Sequence, residues 1–573
     1  MSTVTLTINN VRVAVEAGTT ILKAAQKAGV HIPTLCYLEG INEIGACRIC
    51  VVEVEGARNL VASCVAPVAE GMVVRTNTPR VRAARRFNVE LLLSNHQVDC
   101  PACVRNLNCE LQTLAQALGV RQVRFEGQQS RYPVDTSTPA IVRDPNKCIL
   151  CRRCVAVCEK VQGVKAIAPL ERGFHTVIAP AFQEELINVP CVECGQCTLV
   201  CPTGALYEKD YTGEVWAALA DPGKFVVVQT APATRVSIGQ EFGYPPGAIN
   251  TGQMVAALRR LGFDRVFDTD FTADLTIMEE GSEFIERFTK GERLPLLTSC
   301  SPGWIKFVEH FYPEFIPNLS TCKSPQQMFG AVAKTYYAQK AGIDPARMVV
   351  VSIMPCTAKK FECQRPEMRD SGYQDVDYVL TTRELARMIK EAGIEFPALP
   401  EEEYDDPLGE STGAGVIFGA TGGVMEAALR TAYELVTGKT LPSLDFHEVR
   451  GLAGIKEATV DLDGARVRVA VAHSLGHARR LLERVKAGEQ YHFIEVMCCP
   501  GGCIGGGGQP IPTDAEIRAQ RIAGIYTADE RMVLRKSHEN PSVQALYREF
   551  LEKPLGEKSH HLLHTHYTPR GKY

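Results

Sequence analysis

The sequence predicts a multidomain chain, α+β in its N-terminal part and α/β with largely parallel sheets in its C-terminal part. Three observations carry this. At 573 residues the chain exceeds the roughly 250–300 residues at which single cores stop growing. Fifteen of its 22 cysteines fall between Cys36 and Cys201, so the two parts are built for different tasks. Beyond Trp216, short apolar runs alternate with amphipathic helical segments, the order expected of layered α/β units.

Bulk composition excludes several classes. An apolar fraction of 45% with 22% charged residues is ordinary for a globular protein. A net charge of −4 gives no electrostatic case for nucleic acid. The start "MSTVTLTINNVRV" lacks a basic stretch followed by an apolar one, and no run of about 18 apolar residues occurs, so the expectation is cytoplasmic, with no membrane partner. The cysteines are too dilute for a disulfide scaffold and read as metal ligands or catalytic groups.

At the N-terminus, "TLTINNVRVAVEAGTTILKAAQKAG" alternates apolar residues around Asn9-Asn10, then takes helical spacing after Thr19 and Thr20, stopping at Gly29. This predicts a hairpin and a helix. Cys36, Cys47, Cys50 and Cys64 follow, the middle pair on the loop "EGINEIGACRIC". Soft thiolate sulfur stabilises iron in both oxidation states. The set resembles a plant-type [2Fe–2S] ferredoxin of β-grasp fold, with a first gap of ten residues where that family usually has four. "RVRAARRFNVELLLSNH" reads as a helix ending near Asn95, followed by His96, Cys100, Cys103 and Cys109. That spacing suits a His/Cys3 [4Fe–4S] cluster or zinc, and its neighbours favour iron. Cys148, Cys151, Cys154, Cys158 and then Cys191, Cys194, Cys197, Cys201 repeat C-x2-C-x2-C-x3-C, with Pro202 after the second copy. In a two-[4Fe–4S] ferredoxin each fourth cysteine crosses to the other cluster. Cys148, Cys151, Cys154 and Cys201 would then hold one cubane, and Cys191, Cys194, Cys197 and Cys158 the other. Fifteen cysteines plus His96 make four sets of four, an electron wire that needs a terminus.

In the C-terminal part, "KFVVVQTAP", "RMVVVSIMPC", "RVRVAVAHS" and "YHFIEVMCC" read as buried strands, and "TGQMVAALRRLG", "TTRELARMIKEAG" and "LGHARRLLERVKAG" as helices. Sites in such sheets form outside the carboxyl ends of the strands. Cys300 after "LPLLTS", Cys356 after "RMVVVSIMP" and Cys498, Cys499 and Cys503 after "YHFIEVM" sit at that kind of address. "FPALPEEEYDDPLGEST" is rich in proline and acid and reads as a surface loop, and "HHLLHTH" as a terminal docking segment.

The loops "TSCSPGW", "MPCTAKKFE" and "EVMCCPGGCIGGGGQP" closely resemble the three signature loops of the [FeFe]-hydrogenases. "GATGGVMEAALR", "SHENPSVQALYREFLEKPL" and "HHLLHTHY" extend the resemblance over essentially the whole chain, to the large clostridial type. The resemblance implies five segments: a [2Fe–2S] ferredoxin-like domain at 1–79, a His/Cys3 domain at 80–138, a two-[4Fe–4S] domain at 139–212, an H-cluster catalytic domain at 213–510 and a small-subunit-like segment at 511–573. It implies an H-cluster, a [4Fe–4S] cubane joined through a cysteine sulfur to a diiron azadithiolate unit bearing CO and cyanide, beside one [2Fe–2S] and three further [4Fe–4S] clusters. Cys356, Cys499 and Cys503 would be cubane ligands, Cys503 bridging to the diiron unit. Lys359 would donate to a cyanide, and Pro232, Gln326, Met354, Met497, Phe418 and Gly419 would line the pocket. "GGCIGGGG" would bring backbone close to the cluster. Glu280, Ser320, Glu283 and Arg287 match the family's proton path. Glu280 and Glu283 share a helical face, which a solvated acidic face would do equally.

The chain departs from the pattern at Cys300-Ser301, where the family has two cysteines, a proton relay and then a cubane ligand. Strict register makes Cys300 the relay and leaves Ser301 to ligate through oxygen; sulfur preference slightly favours Cys300 as the ligand, with a serine or water carrying the proton. Cys322 and Cys498 are further thiols, readable as small buried hydrophobes or as the missing ligand. The TSCSP variant looks like the catalytic subunits of NAD(P)-linked, electron-bifurcating multimeric hydrogenases. That implies flavin- and NAD(P)-binding and iron–sulfur partner subunits, ferredoxin, and maturation proteins. The alternatives are a stand-alone ferredoxin-dependent hydrogenase, a hydrogenase-like sensor or iron–sulfur protein without turnover, and an iron–sulfur subunit of a respiratory or formate dehydrogenase.

Overall fold

Asn9 and Asn10 turn the first hairpin with φ of 47° and 70°, the paired positive angles of a type I′ turn. In the computed structural model, which describes residues 2–126, 129–462 and 464–571, this hairpin is β1 (Thr3–Ile8) and β2 (Val11–Glu16). Helix Ile21–Lys27 follows, its first turn capped by the Thr20 hydroxyl, which accepts the Lys23 N–H. Strands β3 (Val51–Val54), β4 (Val61–Ala62) and β5 (Val73–Arg75) complete a five-stranded sheet in the order β2-β1-β5-β3-β4. Residues 1, 127–128, 463 and 572–573, which the expected segments include, lie outside the described residues.

Helix Pro79–Asn95 ends where the sequence indicated and hands the chain to His96 at its C-cap. Beyond it, β6 (Ile141–Arg143) pairs antiparallel with β9 (Leu206–Glu208), and β7 (Ala168–Leu170) with β8 (Val177–Ala179). The cysteine-bearing turns lie between these short strands.

The rest of the chain is built on two four-stranded sheets. The first, β11-β10-β13-β14, is parallel throughout: β10 is Phe225–Thr230, β11 Arg265–Asp268, β13 Met348–Ile353 and β14 Tyr378–Leu380. The second runs β12-β17-β16-β15, with β12 Leu296–Leu297, β15 Ile455–Leu462, β16 Ala465–His473 and β17 Phe493–Met497. It is parallel except for the β15–β16 hairpin. Strands β10, β13 and β17 are buried on both faces, which is why they read as mostly apolar runs, interrupted by the buried Gln229, Ser352 and Glu495. Helix Thr269–Lys290 divides the sheets. Its Phe271 and Leu275 pack with Val227 and Val350 of the first sheet, while Ala273, Ile277 and Phe284 pack with Val471 and Phe493 of the second. A helix covered on both sides carries polar residues only where they have partners, which bears directly on Glu280 and Glu283.

The C-terminal segment docks on this helix. Asn540 Nδ2 donates to Asp274 at 2.9 Å and the Tyr547 hydroxyl to Glu279 at 2.6 Å. The stretch 396–412 is a surface loop, with Glu401, Glu403 and Asp406 exposed, anchored at a few points. Phe396 and Leu408 are fully buried, Tyr404 shares a 2.7 Å hydrogen bond with Thr230, and the Asp405 carboxylate accepts the Val266 N–H at 2.7 Å. Glu402 and Asp405 also pair with Arg259. Among the described residues no helix is long and apolar enough to cross a membrane.

Candidate active site

Four strand ends converge. Pro232 follows β10, Cys300 follows β12, Cys356 follows β13 and Cys498 follows β17, the carboxyl-end placement that parallel sheets impose on their sites. Together they surround a cavity. Its lining includes Cys300, Ser301, Cys356, Cys498, Cys499 and Cys503, and also Pro232, Gln326, Met354, Met497 and Phe418. Gly419 is not part of the lining. It is buried beside Phe418 in the tight turn Ile417–Gly419, where a Cβ would fall 2.9 Å from Ile525 Cδ1 and 3.2 Å from the Ala233 nitrogen, and its carbonyl adjoins Gly502 of the lining. Gly502 and Gly506 of the glycine run lie in the lining, and the run also lets loops close. A Cβ at Gly506 would meet the Pro355 carbonyl oxygen at 1.9 Å and one at Gly507 the Cys194 oxygen at 2.5 Å. Glycine there lets three protein loops close on one another.

Lys359 is the one lysine, arginine, aspartate or glutamate in that lining. Its ammonium donates to Glu362 Oε2 at 2.8 Å and to the Cys300 carbonyl at 3.3 Å, leaving a third proton free. Glu362 Oε2 also accepts from Ser324 Oγ at 2.8 Å and Gln326 Nε2 at 3.2 Å. The sequence analysis missed Glu362, although Lys359 and Glu362 are three apart on the helix Ala358–Glu362, a spacing that pairs charges.

From the cavity, helix Thr269–Lys290 leads outward. Thr269 and Ala273 line the cavity, and Glu280, Glu283 and Arg287 continue one stripe toward the helix C-terminus, about 20 Å farther on at 1.5 Å per residue. Glu280 and Glu283 are 2% and 7% exposed, so they form no solvated acidic face. The Ser320 hydroxyl donates to Glu283 Oε2 at 2.9 Å and is hydrogen-bonded to Glu280 as well. With the Ser320 proton on Glu283, a neutral Glu280 carboxyl can donate to the Ser320 oxygen. Burial pushes the Glu280 carboxyl up to about 8, which keeps it neutral and able to donate. Glu283 Oε1 accepts from Arg287 at 2.5 Å.

The network branches through residues no sequence pattern indicated. The Thr321 hydroxyl donates to Glu283 at 3.2 Å and shares a 2.8 Å hydrogen bond with His564 Nδ1, whose Nε2 lies 3.2 Å from Glu279. The exposed His560 ring sits 4.3 Å from that of His564. Cys322 belongs to this network. Fully buried, it lies outside the cavity lining, with its sulfur 3.9 Å from Glu283.

The opposite wall faces the cysteine-rich half. Cys194 lines the same cavity, and Cys499 Sγ lies 4.0 Å from its carbonyl oxygen. Cys158, Cys191 and Cys194 pack in one core with Cys498 and Cys499, and Cys158, Cys191, Cys194 and Cys197 are electrostatic neighbours. Cys148, Cys151, Cys154 and Cys201 surround a second cavity, so the crossed pairing of the repeat is the one the fold brings together. Asn42 Nδ2 donates to the carbonyls of Cys36 and Cys151, tying that cavity to the first domain, where Cys36 and Cys47 are hydrogen-bonded and the sulfurs of Cys50 and Cys64 lie 3.3 Å apart. Cys109 Sγ lies 3.6 Å from the Pro202 carbonyl. His96 is buried, with Nδ1 unpartnered, and Cys100 follows it on a short turn.

Comparisons with known proteins agree with this layout. The iron only hydrogenase large subunit, C-terminal domain, matches residues 224–507, and the iron hydrogenase small subunit matches 515–570. A 2Fe–2S iron–sulfur cluster binding domain matches 1–79, the NADH-ubiquinone oxidoreductase-G iron–sulfur binding region 85–124, and a 4Fe–4S dicluster domain 147–205. The NADP-reducing hydrogenase subunit HndD of Solidesulfovibrio fructosivorans is 55% identical over 100% of both chains. The chain belongs to the iron-only hydrogenases. Iron hydrogenase 1 of Clostridium pasteurianum is 42% identical over 98% of this hydrogenase and 99% of its own length. A solved [FeFe]-hydrogenase from Chlamydomonas reinhardtii superposes with a TM-score of 0.57 at 48% identity, covering 63% of this chain and 99% of its own.

The hydrogenase fixes its two halves with buried polar contacts. Lys306 pairs with Glu193 at 2.6 Å, both side chains at most 5% exposed. Thr357 Oγ1 donates to the Glu193 carbonyl at 2.7 Å, and Gln196 Nε2 to that of Gly505 at 2.9 Å. Lys306→Met should strand a buried carboxylate and lower stability by about 3–5 kcal/mol, read as a fall in the thermal unfolding midpoint. Glu280 makes stability depend on pH with a definite sign. Its carboxyl ionises near 4.5 in the unfolded chain and near 8 in the folded one, so its contribution is complete below about 4.5 and is lost as pH rises through about 8. Over roughly pH 6 to 9 the midpoint of the hydrogenase should fall more steeply than that of Glu280→Gln.

Proposed function

We propose that the cavity holds an H-cluster at which the chain interconverts 2H⁺ + 2e⁻ and H2, as the catalytic subunit of a multimeric, NAD(P)-linked hydrogenase. The observation that carries the reading is the convergence of Cys356, Cys499 and Cys503 with Lys359 on one largely apolar cavity, bounded by the Glu280 network on one side and Cys194 on the other. The residues fit the group. Burial pushes the Cys356 and Cys503 thiols up, Cys503 to about 12, so several thiolates share this space only around a cation. The Gln326 Oε1 is buried without a partner in the lining. When bound, the cluster supplies an open iron coordination position and reversible one-electron storage.

The chain's residues do the rest. Cys356, Cys499 and Cys503 hold the cubane, and Lys359 directs its free proton toward an anionic ligand of the diiron unit. Met354, Met497, Pro232 and Phe418 exclude water from the open position. Protons travel by Cys300, Glu280, Ser320, Glu283 and Arg287. Electrons enter through the [2Fe–2S] set Cys36, Cys47, Cys50 and Cys64 and the His/Cys3 set His96, Cys100, Cys103 and Cys109. Cys148, Cys151, Cys154 and Cys201 would hold one cubane, and Cys158, Cys191, Cys194 and Cys197 a second beside the active site, each supplying one-electron storage.

The NAD(P) link is supported by the full-length likeness to an NADP-reducing hydrogenase subunit. Isolating a tagged chain from its own cells tests the link. A copurifying flavoprotein through which NADPH reduces the clusters supports it; a chain reduced by ferredoxin and lacking such a partner is a stand-alone enzyme. Loading with a synthetic diiron cofactor should produce infrared bands of CO and cyanide, absent in Cys503→Ala.

A further inference from the structure

We infer that Cys498 supplies the fourth thiolate to the cubane in this cavity, in place of Ser301, and that Cys300 stands on the proton-carrying side. This rests on the H-cluster reading above. Cys356, Cys499 and Cys503 leave one cubane corner to fill, and the nearby candidates are Cys300, Ser301, Cys322 and Cys498. Cys322 is outside the cavity lining, with its sulfur directed to Glu283.

Cys300 and Cys498 both line the cavity but belong to different halves of it. Cys300 packs against the core formed by Met497, Phe418, Ala273 and Ile277, on the side of the helix that carries Glu280, and its carbonyl is held by Lys359. Cys498 packs in the other core with Cys499, Trp304 and Cys194, and its thiol is hydrogen-bonded to those of Cys499 and Cys194. The cubane must touch Cys503, which packs on the Cys300 side, as well as Cys499, whose thiol Cys498 adjoins.

Ser301 and Cys498 are neighbours across the cavity wall. The Cys498 backbone N–H donates to Ser301 Oγ at 3.2 Å, and both residues line the cavity. An oxygen at 301 is a hard ligand for iron in a sulfur cluster, whereas a thiol at 498 is a soft one that gives up its proton on ligation. Room for that thiol comes from Gly303, where a Cβ would fall 2.8 Å from Cys498 Sγ. The donor atom has thus moved across one hydrogen bond, from the start of helix Pro302–Phe311 to the end of β17. Cys300 is then free to carry protons.

The test uses the full chain, produced without diiron maturation, reconstituted with iron and sulfide without oxygen, and analysed for iron per chain and by electron paramagnetic resonance. Cys356→Ala is the reference. If it binds as much iron as the unmodified chain, no cubane occupies the cavity and the H-cluster reading itself fails. Given a loss in that reference, Cys498→Ala should lose about one to four iron atoms per chain, as a [3Fe–4S] remnant or a whole cubane. Ser301→Ala and Cys300→Ala should retain the full count, and the double variant Cys498→Ala with Ser301→Cys should regain it. Full iron in Cys498→Ala overturns the inference, whichever other variant loses iron. So does a loss that Ser301→Cys fails to restore, since Cys498 would then act on folding or on the neighbouring cubane.

Discussion

Glu280→Gln is expected to lower H2 evolution by about 10²- to 10⁴-fold while the iron content stays unchanged. The amide keeps the size of the carboxyl and can still donate to Ser320, so packing survives. It cannot release a proton and take up another, which every turnover requires. The geometry offers no bypass of equal quality on this stripe: Ser320 joins Glu280 to Glu283, and Glu283 meets Arg287. Because burial holds Glu280 near 8, evolution in the unmodified enzyme should decline as pH rises past that value. Glu280→Asp should recover part of the activity, since the shorter side chain keeps the chemistry and strains the bond to Ser320. Dye-linked assays across pH, with iron analysis of the same samples, check all three statements. Activity within a few-fold of the unmodified chain in Glu280→Gln would remove this carboxyl from the path.

Lys359→Met is expected to abolish retention of the diiron unit and with it at least about 10²-fold of activity. Methionine matches the stem of lysine but leaves Glu362 without its ammonium partner beside an apolar cavity. Breaking a buried pair by removing one partner is costly because the remaining charge is uncompensated. The open proton of Lys359 is also lost where an anionic ligand needs it. Lys359→Arg keeps the charge, yet its planar fork cannot place three protons as an ammonium does, so binding should be weakened rather than lost. The readout is infrared absorption of CO and cyanide after loading with the synthetic cofactor and desalting. Bands of full intensity in Lys359→Met would show that the cavity holds the group without this cation.

The loops that follow strands were readable in the sequence because β10, β13 and β17 are predominantly apolar runs followed by cysteine or proline motifs. The ferredoxin pairing was equally plain, since C-x2-C-x2-C-x3-C in two copies specifies its own crossing. Glu280 and Glu283 were readable as sharing a face but not as buried, because helical periodicity does not reveal that a second sheet covers the other side. Thr321, His564 and Glu279 form one network through contacts more than 200 residues apart, which no local pattern encodes. The acid-rich stretch 396–412 was legible as a surface loop, but not its anchoring through Asp405 to Arg259 and the Val266 N–H, which lie far away in sequence.

The most direct test of the account is H2 evolution from a reduced dye by the full chain, prepared without oxygen and loaded with a synthetic diiron cofactor. The account predicts turnover that appears on loading and is lost in Cys503→Ala. A chain that binds the cofactor, as its infrared bands would show, and still produces no H2 would contradict it.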